Sequence, residues 1–268
     1  MNELANKARE IRKRAITMVY NSNSAHLGSI MSAIDILTVL YFRIMSIDPN
    51  NPLDDKRDRF ILSKGHAVAG LYATLFLRGY FEEDLLGSYC KDGSKLAGHS
   101  TMGCVPGMEA STGSLGHGLP ISTGMALAAK RDKKDHRIFC LMSDGECQEG
   151  SNWEAALFAS HHKLDNLVAI IDYNKIQALG KTNEVLNLEP LVQKWEDFGW
   201  AVKEVDGHNF EEIEQSLSEI PFSQGKPSLL IAHTVKGKGI SFLENTLLSH
   251  YKQLNEEEYK KAIKELEQ

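Results

Sequence analysis

The chain carries no surplus of basic residues: 30 Lys and Arg stand against 36 Asp and Glu, a net charge of −6. No basic face is implied, which argues against nucleic acid and anionic membrane as partners. Cysteine is scarce. Cys90, Cys104, Cys140 and Cys147 form no Cys-x-x-Cys pair, and a chain of 268 residues is too large for a disulfide scaffold. The first residues, Met1-Asn2-Glu3-Leu4, lack a basic-then-apolar leader pattern. No apolar run approaches the roughly 18 residues of a membrane span, so cytoplasm is the expected compartment. Internal repeats and low-complexity stretches are absent as well. What remains is ordinary globular composition, 42% apolar and 25% charged. A chain of this length buries roughly 70–75% of its unfolded surface as one large domain.

Periodicity divides the chain into alternating elements. Leu4, Ala8, Ile11, Ala15 and Val19 follow helical spacing and predict an amphipathic helix over 3–20. A polar loop, 21–28, precedes a long apolar helix over about 29–45. Arg59 to Ser63 reads as a short strand and Val68 to Arg78 as a helix. From Asp92 to Gly118 runs a glycine-rich stretch long enough to suggest function rather than mere connection. Ser122 to Lys130 is helical, and strands follow at Trp200–Val205 and Leu229–Thr234. Asn255 with Glu258 makes a capping-box start for a terminal helix over about 255–268, with Tyr259, Ala262, Ile263 and Leu266 inward. The alternation predicts an α/β fold: a mainly parallel sheet with helices on both faces, in one domain spanning 1–268.

The most informative stretch lies between. Ile138 to Met142 is an apolar strand that breaks at Ser143-Asp144-Gly145-Glu146; a helix begins near Ser151; Leu167 to Ile171 is a second strand, ending in Asp172-Tyr173-Asn174-Lys175-Ile176. This is a βαβ unit, whose crossover makes the strands parallel and sets their carboxyl ends on one edge. Asp144 and Asn174 therefore face one small site. A carboxylate, an amide oxygen and loop carbonyls are hard ligands, and Mg²⁺ takes few of them before filling up with water and phosphate oxygens. The pattern predicts a magnesium–diphosphate cofactor.

Asp144-Gly145, the gap of 30 residues and Asn174 resemble the thiamine diphosphate signature, with Ser143 at the place of its first glycine. Glu149-Gly150, Glu154 and Leu164-Asp165-Asn166-Leu167 narrow the resemblance to the transketolase family. It implies thiamine diphosphate with Mg²⁺ (or Ca²⁺ or Mn²⁺) as cofactors. Asp144, Asn174 and the Ile176 carbonyl would hold the metal, and Gly145 the diphosphate.

Histidines flanked by glycine-containing loops fill out the site. Taken one by one, each is more often structural. Ala25-His26-Leu27, Gly65-His66-Ala67 and Gly98-His99-Ser100 all lie beside elements on the expected side of the fold. The resemblance gives His26 and His99 catalytic contact with sugar hydroxyls, and gives His66 contact with the diphosphate. Leu27 and Ser100 replace the usual prolines. Within Pro106 to Gly118, Gly113 would accept a hydrogen bond from the aminopyrimidine and Leu115 would pack on that ring, while His117 stands where glutamine is common. Thr234 to Gly239 matches the loop over the cofactor, bringing Lys236, and His250 falls at a further catalytic position without the family's flanking tryptophan and glycine.

Plainer readings cover the rest. Cys140 is a core residue and Cys147 a small filler near the metal site. His161-His162 and the charge runs at 130–134 and 256–258 are solvated surface. Trp153, Trp195 and Trp200 pack in the core or an interface. Ser151 with Glu154 fits a capping box, whereas the resemblance places Glu149 and Glu154 in a carboxylate network between cofactor sites.

The resemblance covers only the first of the three transketolase domains. It implies the amino-terminal subunit of a split enzyme, with a second chain supplying the pyrimidine-binding and carboxy-terminal domains and two copies of each assembling. Such an enzyme moves a two-carbon ketol unit from a ketose phosphate to an aldose. Another thiamine diphosphate enzyme, of the 2-oxo acid dehydrogenase or deoxyxylulose phosphate synthase type, and a non-catalytic homologue are the alternatives.

Overall fold

A computed structural model describes residues 2–267. The elements run in chain order α1 (Asn2–Asn21), α2 (Leu27–Val39), β1 (Arg59–Leu62), α3 (Val68–Arg78), α4 (Gly118–Arg131), β2 (Ile138–Ser143), α5 (Gly150–His161) and β3 (Leu167–Tyr173). They continue with α6 (Thr182–Val185), α7 (Leu191–Asp197), β4 (Ala201–Asp206), α8 (Phe210–Ser218), β5 (Ser228–His233) and α9 (Glu256–Leu266). The sheet has the order β1-β2-β3-β5-β4 and every neighbouring pair is parallel. The sequence-based α/β reading holds.

Alternation along each strand explains the two layers. Phe60, Leu62, Phe139, Leu141, Val168, Ile170, Leu230 and Ala232 point to one face and pack with α1, α2, α3, α8 and α9. Ile61, Ile138, Cys140, Met142, Leu167, Ala169, Ile171, Leu229 and Ile231 point to the other and pack with α4, α5 and α7. Strands buried on both faces must be apolar throughout, which is why β2 and β3 are continuous runs without a polar side. Trp153, Trp195 and Trp200 stack successively in the second layer, with ring centroids 5.1 and 5.0 Å apart.

Every residue of α2 is buried. It continues into a wider π turn, Leu40–Ile44, closed by the Met45 N–H on the Leu40 carbonyl at 2.9 Å. The joined helix of 18 residues is long and apolar enough to cross a membrane, but it lies inside the protein with 83% of its residues buried. No apolar run of that length was expected. The length is reached only by joining helix and turn, and the span includes Asp35 and Arg43.

Several boundaries differ from the sequence reading. α4 starts at Gly118, not Ser122, so the glycine-rich stretch ends as a helix start. The box expected at Ser151 and Glu154 does not form. Glu149 is the N-cap of α5, without a side-chain cap bond, and the Ser151 hydroxyl instead donates to the Gly116 carbonyl at 2.6 Å. Tertiary contact with the 113–117 loop outcompetes the local cap. α7 and α8 were not anticipated. α8 carried a usable signal: the Asn209 side chain accepts from the Glu211 and Glu212 N–H groups.

The capping box of α9 is present in both halves, Asn255 accepting from Glu258 N–H at 2.9 Å and Glu258 accepting from Asn255 N–H at 3.1 Å. Ala262 and Leu266 seal this helix onto α1; Gln268 lies outside the described residues. Removing such a cap costs about 1 kcal/mol. Asn255→Ala should therefore lower the melting temperature by roughly 2–4 °C, as expected for a domain of this size, in a calorimetric scan of the purified chain.

Candidate active site

Parallel pairing fixes the site. Ser143 at the end of β2 lies level with Asp172 in β3, and Tyr173 in β3 lies level with His233 in β5. The segments leaving β1, β2, β3 and β5 thus emerge on one edge, the usual location of ligands in open α/β sheets. A cavity of about 270 Å³ opens there. It is lined by all eleven residues singled out from the sequence: His26, His66, His99, Gly113, Leu115, Asp144, Gly145, Asn174, Ile176, Lys236 and His250. Ser29, Ser143, Gln177, Ala178 and Tyr251 also line it.

Each histidine arrives by a different route. His66 sits in a single turn, Gly65–Ala67, between β1 and α3. Gly65 is needed there, because a Cβ would lie 2.6 Å from the Thr112 carbonyl oxygen. His26 precedes α2 in the left-handed region, φ 75° and ψ 14°. That conformation costs a non-glycine residue about 1–3 kcal/mol. It is held by the His26 N–H, which donates to the His250 carbonyl at 2.8 Å, and by α2 starting on its own carbonyl. His99 packs against Gly113, where the φ of +141° is strained for other residues and an added Cβ would lie 2.7 Å from the His99 ring. The rings gather around His26, with centroids at 5.2 Å to His66, 5.9 Å to His99 and 5.0 Å to His250.

Burial governs their charge. His26 falls to about 4, chiefly through desolvation and then through His99 and Lys236. His250 falls to about 3 by desolvation, with Lys236 next. His66 drops well below its usual value by desolvation, aided by Lys64. At neutral pH these three rings are therefore uncharged, each presenting one N–H donor and one acceptor nitrogen.

Beneath them lies an ion pair that the sequence reading missed. Lys64 and Asp172 are both fully buried and directly bonded. Lys64 Nζ also donates to the Ser29 carbonyl at 2.8 Å, and Asp172 accepts from Ser32 Oγ at 2.6 Å and from the Thr234 hydroxyl. Glu146 was likewise unforeseen. It is buried with its proton affinity raised by burial, and it accepts from the Ser63 hydroxyl, Gly116 N–H and Ser143 N–H. The signal available for Asp172 was a lone acid directly after an apolar strand run.

The oxygen set proposed for a metal suits one. Asp144 Oδ1 accepts from Gly145 N–H at 2.7 Å and Oδ2 from Lys175 N–H at 2.6 Å, leaving further lone pairs on both oxygens. Burial, then the Asp172 charge, lifts its pKa to about 6, the mark of a carboxylate wanting a counter-charge. Asn174 Oδ1 accepts from Ile176 N–H at 3.1 Å, and the Ile176 carbonyl accepts from Lys236 Nζ at 2.8 Å, so a cation already faces that oxygen. Among the described residues no cluster of three or more His, Cys, Asp or Glu could bind a metal. One carboxylate, one amide and one carbonyl fit the sparse protein ligation of Mg²⁺.

Other expected residues lie elsewhere. His117 is exposed, 3.1 Å from the Leu115 carbonyl, and does not line the cavity. Glu149 and Glu154 are exposed at the start of α5, whose outer side also shows Leu157 and Phe158. Cys140 and Cys147 are buried thiols pushed up by desolvation, consistent with inert packing.

Two outcomes follow from this geometry. In an NMR titration of the ligand-free chain, the ring signals of His26, His66 and His250 should hold their neutral positions from pH 8 down to 5, because burial lowers all three. Movement of all three near pH 6.5 would contradict the burial argument. Replacing Lys64 by Met should destabilise the chain by about 3–5 kcal/mol in denaturant unfolding, because Asp172 is left buried without its partner. Adding Asp172→Leu to that variant should restore much of the loss.

The whole chain can now be compared with known proteins. Residues 4–267 match the family "Transketolase, thiamine diphosphate binding domain". An apulose-4-phosphate transketolase subunit of Phocaeicola vulgatus is 45% identical, covering 95% of this chain and 90% of that protein. The 6-deoxy-6-sulfo-D-fructose transketolase subunit SqwG of a Clostridium species is 44% identical, covering 99% and 96%. The Campylobacter jejuni transketolase structure superposes with a TM-score of 0.94 at 36% identity, covering all of this chain but 43% of that one. The Leishmania mexicana enzyme gives 0.92 at 31%, covering 99% and 41%. This chain thus spans about two fifths of those solved enzymes and nearly the full length of the separate subunits. On the family match, the fold and these relatives, the chain belongs to the transketolase family as its thiamine diphosphate binding domain.

Proposed function

We propose that this chain is the cofactor-holding subunit of a two-chain transketolase, transferring a two-carbon ketol unit from a ketose phosphate to an aldose. The observation carrying this is the single cavity at the sheet edge that gathers four histidines, Lys236 and the Asp144–Asn174–Ile176 oxygens. Thiamine diphosphate, when bound, supplies the stabilised carbon nucleophile for the transfer.

The residues present divide the remaining work. Asp144, Asn174 and the Ile176 carbonyl would hold Mg²⁺ against the diphosphate. His66, Gly145 and Lys236, which line the same cavity, would meet the diphosphate, and Gly113 and Leu115 would meet the aminopyrimidine. His26, His99 and His250 would orient sugar hydroxyls and pass protons to and from their oxygens. The histidine cluster favours ketol transfer over the 2-oxo acid dehydrogenase and deoxyxylulose phosphate synthase readings.

A partner chain is part of the proposal. Two similar proteins are named as subunits and match this chain over 90% and 96% of their own length. The cavity mouth is bordered by exposed Tyr251, with exposed Leu248 close by along the chain and exposed Leu179 beyond Ala178. Exposed apolar residues beside a site in this way suit a covering chain. Two copies of each chain in closed two-fold symmetry is the expected assembly.

The test uses the chain with its genomic-neighbour partner and a panel of ketose donors that includes apulose 4-phosphate and 6-deoxy-6-sulfofructose. Turnover should appear only when both chains are present. Asp144→Ala should weaken Mg²⁺-dependent thiamine diphosphate binding by at least the roughly 10–100-fold typical of losing an outer-shell partner. Wild-type cofactor affinity in that variant, measured by calorimetry, would overturn the metal assignment. Robust ketol transfer by the single chain would overturn the two-chain reading, and cofactor binding without turnover on any donor would favour the non-catalytic one.

A further inference from the structure

We propose that Arg12, Asp35 and His208 are positioning residues that grip the Lys236 loop from behind, setting where its ammonium enters the cavity. The proposal rests on the reading of Lys236 as a residue facing the cofactor diphosphate.

The network is largely buried, with one side facing a surface cavity. Arg12 on α1 and Asp35 on α2 are 7% and 4% exposed. Arg12 Nη1 and Nη2 each donate to one Asp35 oxygen at 2.8 Å, a two-pronged pairing. Arg12 Nη2 also donates to the Met31 carbonyl at 3.3 Å. His208, in the turn between β4 and α8, lies 2.7 Å from Asp35 Oδ2 through Nδ1. Its other nitrogen, Nε2, accepts from the Val235 N–H at 2.8 Å. A backbone N–H can only donate, so Nε2 must be the unprotonated nitrogen. The Nδ1 proton therefore points at the carboxylate.

Both ends of this network hold the same loop. His208 takes the N–H of Val235, and Arg12 Nε donates to the Lys238 carbonyl at 3.2 Å. Lys236 lies between those two anchors. Further bonds brace it from other sides: Gly237 N–H to the Gly28 carbonyl at 3.0 Å and Asn245 N–H to the Lys236 carbonyl at 2.9 Å. Gly237 at φ +81° leaves no room for a Cβ, which would lie 2.4 Å from the Leu243 oxygen. The Lys236 side chain is fully buried and its tip reaches the Ile176 carbonyl. With so little free stem, its ammonium goes where the backbone of 235–238 puts it.

The position of Asp35 supports a dedicated role. It is the one charged residue in a fully buried helix, where an unpaired charge would be prohibitive. Burial alone would raise its pKa; Arg12 and then the His208 hydrogen bond outweigh that and hold it at about 2, so it is charged throughout the working range. The far side of the network opens into a separate surface cavity lined by Arg9, Asp206, Lys238 and Glu265. None of the four histidines of the active cavity lines it, and the network's direct bonds to the cofactor loop are those at Val235 and Lys238.

The experiment compares His208→Leu, His208→Gln and Lys236→Met, each in the full chain and in the complex with its partner. Hydrogen exchange should speed up in 234–239 of His208→Leu while Ile138–Met142 in the central strand is unchanged. Affinity for Mg²⁺–thiamine diphosphate should fall by about 10–100-fold, the range for loss of an outer-shell partner, with turnover at saturating cofactor near wild type. His208→Gln keeps an acceptor for the Val235 N–H and should recover most of both effects. Exchange that rises everywhere alike, or not at all, would overturn the positioning role. If Lys236→Met leaves cofactor affinity intact while His208→Leu still loosens 234–239, the reading of Lys236 fails and the grip on the loop stands as structural only. Should His208→Leu not fold, Asp35→Asn keeps the volume, weakens the hold on both partners and must loosen the same segment.

Discussion

Lys64 and Asp172 meet in the middle of the protein with no exposed surface on either, and the functional edge is organised around that contact. Lys64 leaves the end of β1; Asp172 closes β3; Ser29 and Ser32 bring α2; Thr234 brings the end of β5. Two opposite charges taken out of water are tolerated only when nearly all their hydrogen-bonding capacity is used. Four segments distant in sequence therefore have to arrive together. The residues that line the cavity are the next ones along those segments: His66 after Lys64, Asn174 after Asp172, Lys236 after Thr234, His26 just before Ser29.

The pair also shapes the chemistry above it. Lys64 places its ammonium directly under the cavity. It adds to desolvation in keeping His66 and His250 neutral, and Lys236 is lowered to about 8 by burial with Lys64 next. Asp172, from below, helps to raise Asp144. The result is a site with neutral proton carriers on one wall and an under-compensated carboxylate on the other. The first suits sugar hydroxyls; the second suits a divalent cation carrying a diphosphate. The two charges of the pair oppose each other at both groups: Asp172 raises Asp144 while Lys64 lowers it, and Lys64 lowers Lys236 while Asp172 raises it, with burial the largest cause in each case.

Much of this was legible in the chain. β2 and β3 show as apolar runs because strands covered on both faces tolerate no polar side. The break at Ser143-Asp144-Gly145 and the acid and amide at Asp144 and Asn174 show because polar residues interrupt two apolar strand runs. The Asn255–Glu258 box shows because it is a contact between residues three apart. All eleven proposed site residues do line one cavity. What could not be read were α7, too short for periodicity; the role of Ser151, whose local cap lost to the Gly116 carbonyl; and the partners of Lys64, Asp35, Glu146 and His208.

Sequence alone determined the parallel α/β layering, the identity of the chemically capable residues and the family to which they belong, because those depend on side-chain type and short-range spacing. Tertiary structure alone decided which imidazoles stand within 6 Å of His26, that burial strips their charge, and that Arg12 and His208 hold the two flanks of Lys236. Desolvation and long-range hydrogen bonding join residues as far apart as Arg12 and Lys238, separated by 226 positions, and no local pattern encodes a contact of that kind.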